Sequence, residues 1–146
     1  MLSLLPQSEG YLPLYILFVG TTAIINAVQS YTTLSYTQRL YPGTAATSKS
    51  KPANPALTSP VTPLSARTFG TWTFAVGVVR IFAAYHINEP SWYHLQIISN
   101  LIGAVHYFLE AFVYKTSPPS GPWLAPVIVS WIGTGWSIAQ YNFYLK

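Results

Sequence analysis

The charged residues of this chain leave three long stretches without a single Lys, Arg, Asp or Glu, at residues 10–38, 90–109 and 116–145. Charged residues make up only 7% of the 146 residues, whereas an average soluble domain contains about 25%. Hydrophobic residues reach 51%, so the chain has neither the charged surface of a soluble enzyme nor the polarity of a disordered segment. The composition therefore predicts a protein that folds in lipid.

The apolar stretches predict an all-α, polytopic membrane protein whose four transmembrane helices form a bundle within a single domain. A helix needs about 20 largely apolar residues to cross a bilayer. The predicted spans are residues 12–34, 68–87, 92–114 and 123–144. Aromatic residues such as Tyr15 lie near the span ends, as in the aromatic belts of membrane interfaces. We expect no signal peptide, because the N-terminus lacks a basic region before its apolar residues.

The segment 37–66 between the first two spans is rich in Pro, Ser and Thr. This composition predicts that the segment is an extended, polyproline-like loop and not a helix, with its Pro-rich part at residues 42–63. The loop serves as a mobile linker or as a docking strip for a partner; we favour the linker. Basic residues concentrate in this loop and, with Lys115, after the third span. The positive-inside rule therefore predicts that both loops are cytoplasmic and both termini lumenal. These scattered basic residues do not indicate binding to nucleic acid.

Polar and small residues recur at helical spacing within the predicted spans, and each set occupies one helix face. We expect these faces to point into the bundle, because a polar group in lipid needs a protein partner. The sets are Thr22, Asn26, Gln29 and Thr33; Thr73, Gly77, Arg80 and Ala84; Gln96, Ser99, Gly103, His106 and Glu110; and Ser130, Thr134 and Ser137.

Nine residues are candidates for a polar network within the bundle or for a contact with a partner or a sterol: Asn26, Gln29, Arg67, Thr73, Gly77, Arg80, Asn100, His106 and Glu110. The short turn at residues 88–91 makes the second and third spans antiparallel neighbours. Counting from this turn predicts an ion pair between Arg67 and Glu110 and places Arg80 level with Asn100. Arg80 is interpreted as holding the two helices together, with an anionic substrate site as the alternative. His106 and Glu110 suit either a proton-transfer pair or an interhelical hydrogen-bond network.

Several kinds of chemistry lack their residues in this sequence. The chain contains no Cys, so a thiolate nucleophile, a disulfide and a Cys-ligated zinc are excluded. Histidine-box, H-E-x-x-H, G-x-G-x-x-G and P-loop motifs are also missing. We therefore expect no bound metal and no nucleotide cofactor.

Two segments carry a resemblance to a known family. The string LSARTFGTWTF at residues 64–74 is followed by Arg80 and by Asn-Glu-Pro at residues 88–90. GYLP at residues 10–13 is followed by Asn26, Gln29 and Tyr31. In these features the chain resembles the ergosterol biosynthetic protein 28 family.

The resemblance implies a multi-pass protein of the endoplasmic reticulum membrane that acts in sterol biosynthesis as a scaffold and not as an enzyme. The implied partners are a C-4 methyl sterol oxidase, a decarboxylating sterol-4-carboxylate 3-dehydrogenase and a 3-keto sterol reductase. An interaction with sterol C-24 methyltransferase is also implied, and a homodimer is compatible with this role. The alternatives are a small sterol isomerase that uses His106 and Glu110, and a sterol-binding accessory protein.

Overall fold

The computed structural model describes residues 4–43 and 54–146, and in these residues it contains helices and no β-strand. This confirms the all-α prediction. The α-helices are α1 (Leu12–Thr32), α2 (Ser35–Leu40), α3 (Pro55–Thr58), α4 (Pro63–Tyr85), α5 (Pro90–Phe108), α6 (Leu124–Ala139) and α7 (Tyr141–Tyr144). A π-helical turn, Leu109–Val113, continues α5, and a 3-10 turn, Gly121–Trp123, precedes α6.

Helix α4 begins before the predicted start of the second span because its first turn is well capped. The Thr62 hydroxyl accepts a hydrogen bond from the Ser65 amide at 3.1 Å, and the Ser65 hydroxyl accepts one from the Thr62 amide at 2.9 Å. Pro63 follows at a position where its missing N–H costs nothing. The predicted extended loop is therefore helical at its end.

Two short helices also depart from the extended conformation predicted for residues 37–66, namely α2, which covers Ser35–Leu40, and α3, which covers Pro55–Thr58. Helix α3 forms because the Asn54 side chain accepts a hydrogen bond from the Ala56 amide at 3.1 Å and so caps the first turn. Local capping prevails over the general preference of Pro-rich segments for an extended chain. Residues 44–53 of the predicted loop lie outside the described residues.

The four long helices pack side by side in a ring. Helix α1 lies against most of α4, α4 contacts α5, and α5 contacts α6. Helix α6 closes the ring on α1 through few contacts, among them a hydrogen bond of 2.9 Å from the Tyr15 hydroxyl to the Val129 carbonyl. The ring therefore has one tight side, between α1 and α4, and one loose side, between α6 and α1.

Polar residues lie inside this ring and large apolar residues lie outside it. Buried polar side chains include Arg80, Gln96 and Asn100. The outer helix faces expose Phe18, Ile25, Phe74, Phe82, Ile98, Val105, Phe108, Phe112, Ile128, Trp131 and Ile138. Soluble proteins bury such residues. An apolar exterior around a polar interior is typical of helices surrounded by lipid.

Two helices in the described ranges are long and apolar enough to cross a membrane by length and composition. They are α1, Leu12–Thr32, and α5 with its π-helical extension, Pro90–Val113. Helix α4 is 23 residues long but carries two arginines, and α6 has only 16 residues before α7 follows.

Candidate functional site

A chain of buried hydrogen bonds links α4, α5 and α6 through the middle of the ring. Arg80 Nη2 donates to Asn100 Oδ1 at 2.6 Å, and Asn100 Nδ2 donates to Gln96 Oε1 at 3.2 Å. Gln96 Nε2 donates to Ser137 Oγ at 2.6 Å, and Ser137 Oγ donates to the Gly133 carbonyl at 2.7 Å. This polar chain places Arg80 level with Asn100, as predicted, and supports the interpretation that Arg80 holds helices together.

The Arg80 guanidinium nevertheless has donors that the polar chain does not use. Arg80 is only 9% exposed, and yet its buried Nε has no hydrogen-bond partner. Within residues 4–43 and 54–146 the one ion pair joins His86 and Glu89, with 2.8 Å between Nδ1 and Oε1. No carboxylate of the described chain therefore neutralises this buried cation.

A cavity of about 300 Å³ lies beside Arg80, between the four long helices. Apolar walls come from side chains such as Val19, Trp72 and Val76. Its polar lining consists of Thr22, Asn26, Gln29, Tyr36, Thr73, Arg80, Tyr107 and Ser130. Asn26 Oδ1 is a second buried polar atom without a partner. The cavity thus combines an apolar body with a few polar groups, a composition typical of small-molecule sites.

The polar residues of α1 lie elsewhere than the sequence predicts. Helix α1 turns Ile16, Gly20, Ala27 and Ser30 inward, whereas the predicted set of Thr22, Asn26, Gln29 and Thr33 is exposed or half-buried. The reason is the close approach to α4, which selects the smallest residues of α1 for the contact. Thr22, Asn26 and Gln29 are displaced to the rim of the cavity.

The other three predicted faces do turn inward. Thr73, Gly77, Arg80 and Ala84 are buried on α4; Gln96, Ser99 and Gly103 on α5; and Ser130, Thr134 and Ser137 on α6. His106 and Glu110, farther along the α5 set, are half-buried. Gly77 has a particular role, because a Cβ built there would lie 3.0 Å from the Gly20 carbonyl oxygen.

His106 and Glu110 line a neighbouring groove of about 560 Å³ near the C-terminal end of α5, and its apolar walls, Trp72 and Phe69, also line the cavity beside Arg80. His106 Nε2 lies 2.7 Å from the Tyr41 hydroxyl, and the Glu110 carboxylate accepts a hydrogen bond from Thr116. Burial raises the pKa of the Tyr41 phenol, so this group stays protonated. The ring nitrogens of His106 and the carboxylate oxygens of Glu110 do not come within 4 Å of each other, and each side chain bonds to a partner of its own.

The predicted ion pair between Arg67 and Glu110 is wrong. Arg67 is exposed and makes no ion pair in the described residues, and Glu110 bonds to Thr116. Counting residues from the turn at 88–91 gives depth along two antiparallel helices but does not give the direction of a side chain around each helix. Arg67 follows the buried Ala66 and points about 100° away from it.

Comparison with known proteins shows the family of this chain. The model of the family described as "Erg28 like protein" matches residues 12–135. Ergosterol biosynthetic protein 28 of Candida albicans is 34% identical over 99% of this chain and 96% of its own length. The protein of the same name from Saccharomyces cerevisiae is 31% identical over 97% of this chain and 88% of its own.

The chain belongs to the Erg28-like family. The family extends beyond fungi, since the human ergosterol biosynthetic protein 28 homolog is 32% identical over 80% of this chain and 74% of its own. The residues that the Erg28-like family model matches include every lining residue of the cavity beside Arg80. The names of these relatives refer to ergosterol biosynthesis and to no particular reaction. No solved structure matches this chain.

Sequence reasoning missed the structural part that aromatic residues play in this Erg28-like chain. Tyr15 fits an aromatic belt by position, yet its hydroxyl joins α1 to α6. The Tyr93 hydroxyl donates to the Ser137 carbonyl at 2.5 Å, and Trp123 Nε1 donates to the Tyr107 carbonyl at 3.0 Å. Composition shows that these residues are aromatic, but their partners are backbone carbonyls, which have no signature in a sequence.

Proposed function

We propose that this chain is a multi-pass protein of the endoplasmic reticulum membrane that holds the enzymes of sterol C-4 demethylation together. The observation that carries this proposal is the family, whose relatives are named for ergosterol biosynthesis. The apolar exterior of the ring supports a membrane location, because so many exposed aromatic and aliphatic side chains are unfavourable in contact with water.

In this proposal α1, α4, α5 and α6 all cross the bilayer. Helices α4 and α6 bury their polar residues in the ring and present apolar side chains such as Phe74 and Trp131 outward, as α1 and α5 do. Four crossings put the loops around residues 57 and 120 on one side and the turn at residues 88–91 on the other, and the positive-inside rule makes the first side cytoplasmic and the second lumenal.

The absence of Cys from the sequence makes this topology simple to test. Single cysteines replace exposed residues in Leu57→Cys, Ser91→Cys and Ser120→Cys, and a membrane-impermeant maleimide is added to sealed microsomes. We expect labelling at positions 57 and 120 in intact microsomes, and labelling at position 91 only after permeabilisation. Labelling of position 91 together with position 57 in intact microsomes would contradict four crossings.

A scaffold acts by raising effective concentration. Enzymes that are held together pass an apolar intermediate from one active site to the next over a shorter path than free diffusion requires. The proposed partners are a C-4 methyl sterol oxidase, a decarboxylating sterol-4-carboxylate 3-dehydrogenase and a 3-keto sterol reductase, with sterol C-24 methyltransferase as a further candidate. The exposed apolar faces of α5 and α6 offer lipid-embedded surfaces for such contacts.

The isomerase alternative has less support than the scaffold. Proton transfer between two carbon positions of a sterol needs an acid and a base that act on one ligand. His106 bonds to Tyr41 and Glu110 to Thr116, and these pairings hold both groups in local contacts. The cavity beside Arg80 favours the other alternative, a sterol-binding accessory role that is compatible with scaffolding.

Co-purification tests the scaffold. The tagged full chain is extracted from microsomes in mild detergent, and its associated proteins are identified by mass spectrometry. We expect the oxidase, the dehydrogenase and the reductase to be recovered together, and an unrelated tagged four-span protein of the same membrane serves as control. If none of the three enzymes is enriched above the control, the proposed function is wrong.

A further inference from the structure

Arg80 presents a buried positive charge for which the described chain supplies no counter-charge. A buried cation without an anion is costly, and such residues mark sites of function when they face a cavity. Arg80 uses Nη2 to hold Asn100, while Nε has no partner and the side chain lines the cavity. The bond to Asn100 therefore satisfies only part of the donor capacity of a guanidinium whose side chain lines the cavity.

The carboxylates of the chain are all placed elsewhere. The sequence contains three acidic residues, Glu9, Glu89 and Glu110. Glu89 pairs with His86, Glu110 bonds to Thr116, and Glu9 lines a surface pocket beside Lys146. None of them lines the cavity beside Arg80. An anion at this position would have to come from outside the chain.

The shape of the cavity suits an elongated apolar molecule. On α4 its lining runs from Phe69 to Arg80, which corresponds to about 16 Å along a helix axis. Arg80 lies at one end of this lining, and apolar side chains such as Val19 and Val76 form much of the wall. The site thus offers a charged end and an apolar body, which matches an amphiphile with one anionic group.

The cavity is open on the loose side of the ring, between α1 and α6. Ile25 is 63% exposed although it lines the cavity, and Thr22 and Ala125 are also exposed lining residues. Tyr15 and Val129 tie the two helices together nearer the start of α1. A ligand dissolved in the bilayer could therefore enter sideways without passing through water.

We infer that this cavity binds a membrane-dissolved amphiphile through a carboxylate that pairs with Arg80, and that the amphiphile is a carboxylated sterol. A guanidinium matches a carboxylate in charge and in planar donor geometry, which a neutral hydroxyl does not. The choice of a sterol rests on the proposed function, since the proposed dehydrogenase partner acts on a sterol-4-carboxylate. The scaffold would then hold the intermediate as well as the enzymes.

Direct binding to the purified full chain tests this inference. The probes are a sterol-4-carboxylic acid, the same sterol without its carboxyl group, and oleic acid, each titrated into protein in nanodiscs and followed by native mass spectrometry. We expect the sterol acid to bind at least tenfold more tightly than either other probe. Equal affinity for the neutral sterol would overturn the carboxylate site, and equal affinity for oleic acid would overturn the sterol assignment. Binding of no probe would overturn the whole inference.

Two variants locate the site. Arg80→Gln should remove the tenfold preference for the acid, but it also disturbs the bond to Asn100. Ala125→Trp blocks the exposed mouth and leaves Arg80 intact, so we expect it to weaken binding of the acid at least tenfold. Ile128→Trp, on the exposed outer face of the same helix, is the matched control and should bind normally. Unchanged binding in Ala125→Trp would contradict the assigned cavity.

The outcome is separable from that of the scaffold proposal, because the binding assay contains none of the enzymes. Tight binding of the sterol acid without recovery of the enzymes would reject the scaffold and retain the site. Recovery of the enzymes without binding of the acid would reject the site and retain the scaffold.

Discussion

The α1–α4 contact and the α5–α6 contact join helices in different ways. Between α1 and α4 the backbones approach closely, since a Cβ at Gly20 would lie 3.1 Å from the Gly77 carbonyl oxygen and one at Gly77 would lie 2.8 Å from Ile24. Between α5 and α6 the helices are joined by side chains that donate hydrogen bonds, as Gln96 does to Ser137 and Tyr93 to the Ser137 carbonyl.

The difference shows two ways in which neighbouring helices can be held together. In the proposed membrane location, helices gain little from burying apolar surface, so they associate through close packing or through hydrogen bonds. Close packing fixes α1 against α4 along most of their length. Hydrogen bonds fix α5 against α6 at separate points and, with Arg80, leave room for a cavity between the pairs. Steric changes should therefore damage the first contact most, and the loss of single polar groups the second.

Gly77→Leu should have the largest effect. A side chain at this position collides with backbone as well as with Ile24, and we expect a loss of about 3 kcal/mol in the free energy of unfolding, the upper range for overpacking. Chemical unfolding in detergent measures it. Gly135→Leu is the control, because a Cβ there meets nothing within 4 Å. Equal losses in both variants would contradict close packing as the basis of the α1–α4 contact.

Gln96→Leu should come next. Gln96 is 1% exposed and bonds to both Asn100 and Ser137, so its removal leaves Asn100 Nδ2 without its acceptor and Ser137 Oγ with only its bond to the Gly133 carbonyl. We expect a loss of about 1–2 kcal/mol in the same assay. Gln29→Leu, which makes the same substitution, is the control. The Gln29 side chain makes no hydrogen bond in the described residues, so we expect no loss in the free energy of unfolding. If the two variants were equally stable, the polar chain would not contribute to the α5–α6 contact.

Trp123→Phe should have a smaller effect on the α5–α6 pair. It removes the hydrogen bond from Nε1 to the Tyr107 carbonyl and keeps most of the aromatic surface, so we expect a loss of about 1 kcal/mol. Trp131→Phe provides the comparison, since Trp131 is 59% exposed on the outer face of α6. If Trp131→Phe lost as much stability as Trp123→Phe, the smaller ring and not the missing hydrogen bond would explain the effect.

Arg67→Ala should have the smallest effect. The side chain is exposed and has no carboxylate partner in the described ranges, so we expect a change within about 0.5 kcal/mol. Thermal unfolding in detergent at low salt is the suitable measurement, because low salt enhances any charge interaction. A loss well above this range that disappears at high salt would restore the predicted pair with Glu110.

Most of the fold follows from patterns that can be read locally. Pro63 with the Thr62 and Ser65 caps, the apolar stretches, and the inward faces of α4 and α6 all depend on residues close in sequence. The depth of Arg80 opposite Asn100 also follows, because a short turn fixes the register of two antiparallel helices. Of the candidate site, the sequence predicts the level of Arg80 opposite Asn100 but not the cavity beside it.

The remaining features depend on how helices rotate against one another. The sequence by itself determined that the chain is helical, apolar on its outer faces and poor in charged residues, since these properties depend on composition and periodicity. The tertiary structure alone decided that Gly20 and Ala27 face α4 in place of Asn26, that Arg67 points away from Glu110, and that Arg80 borders a cavity. The physical reason is that close packing between α1 and α4 sets the rotation of both helices, and a contact between two distant segments leaves no local pattern in either.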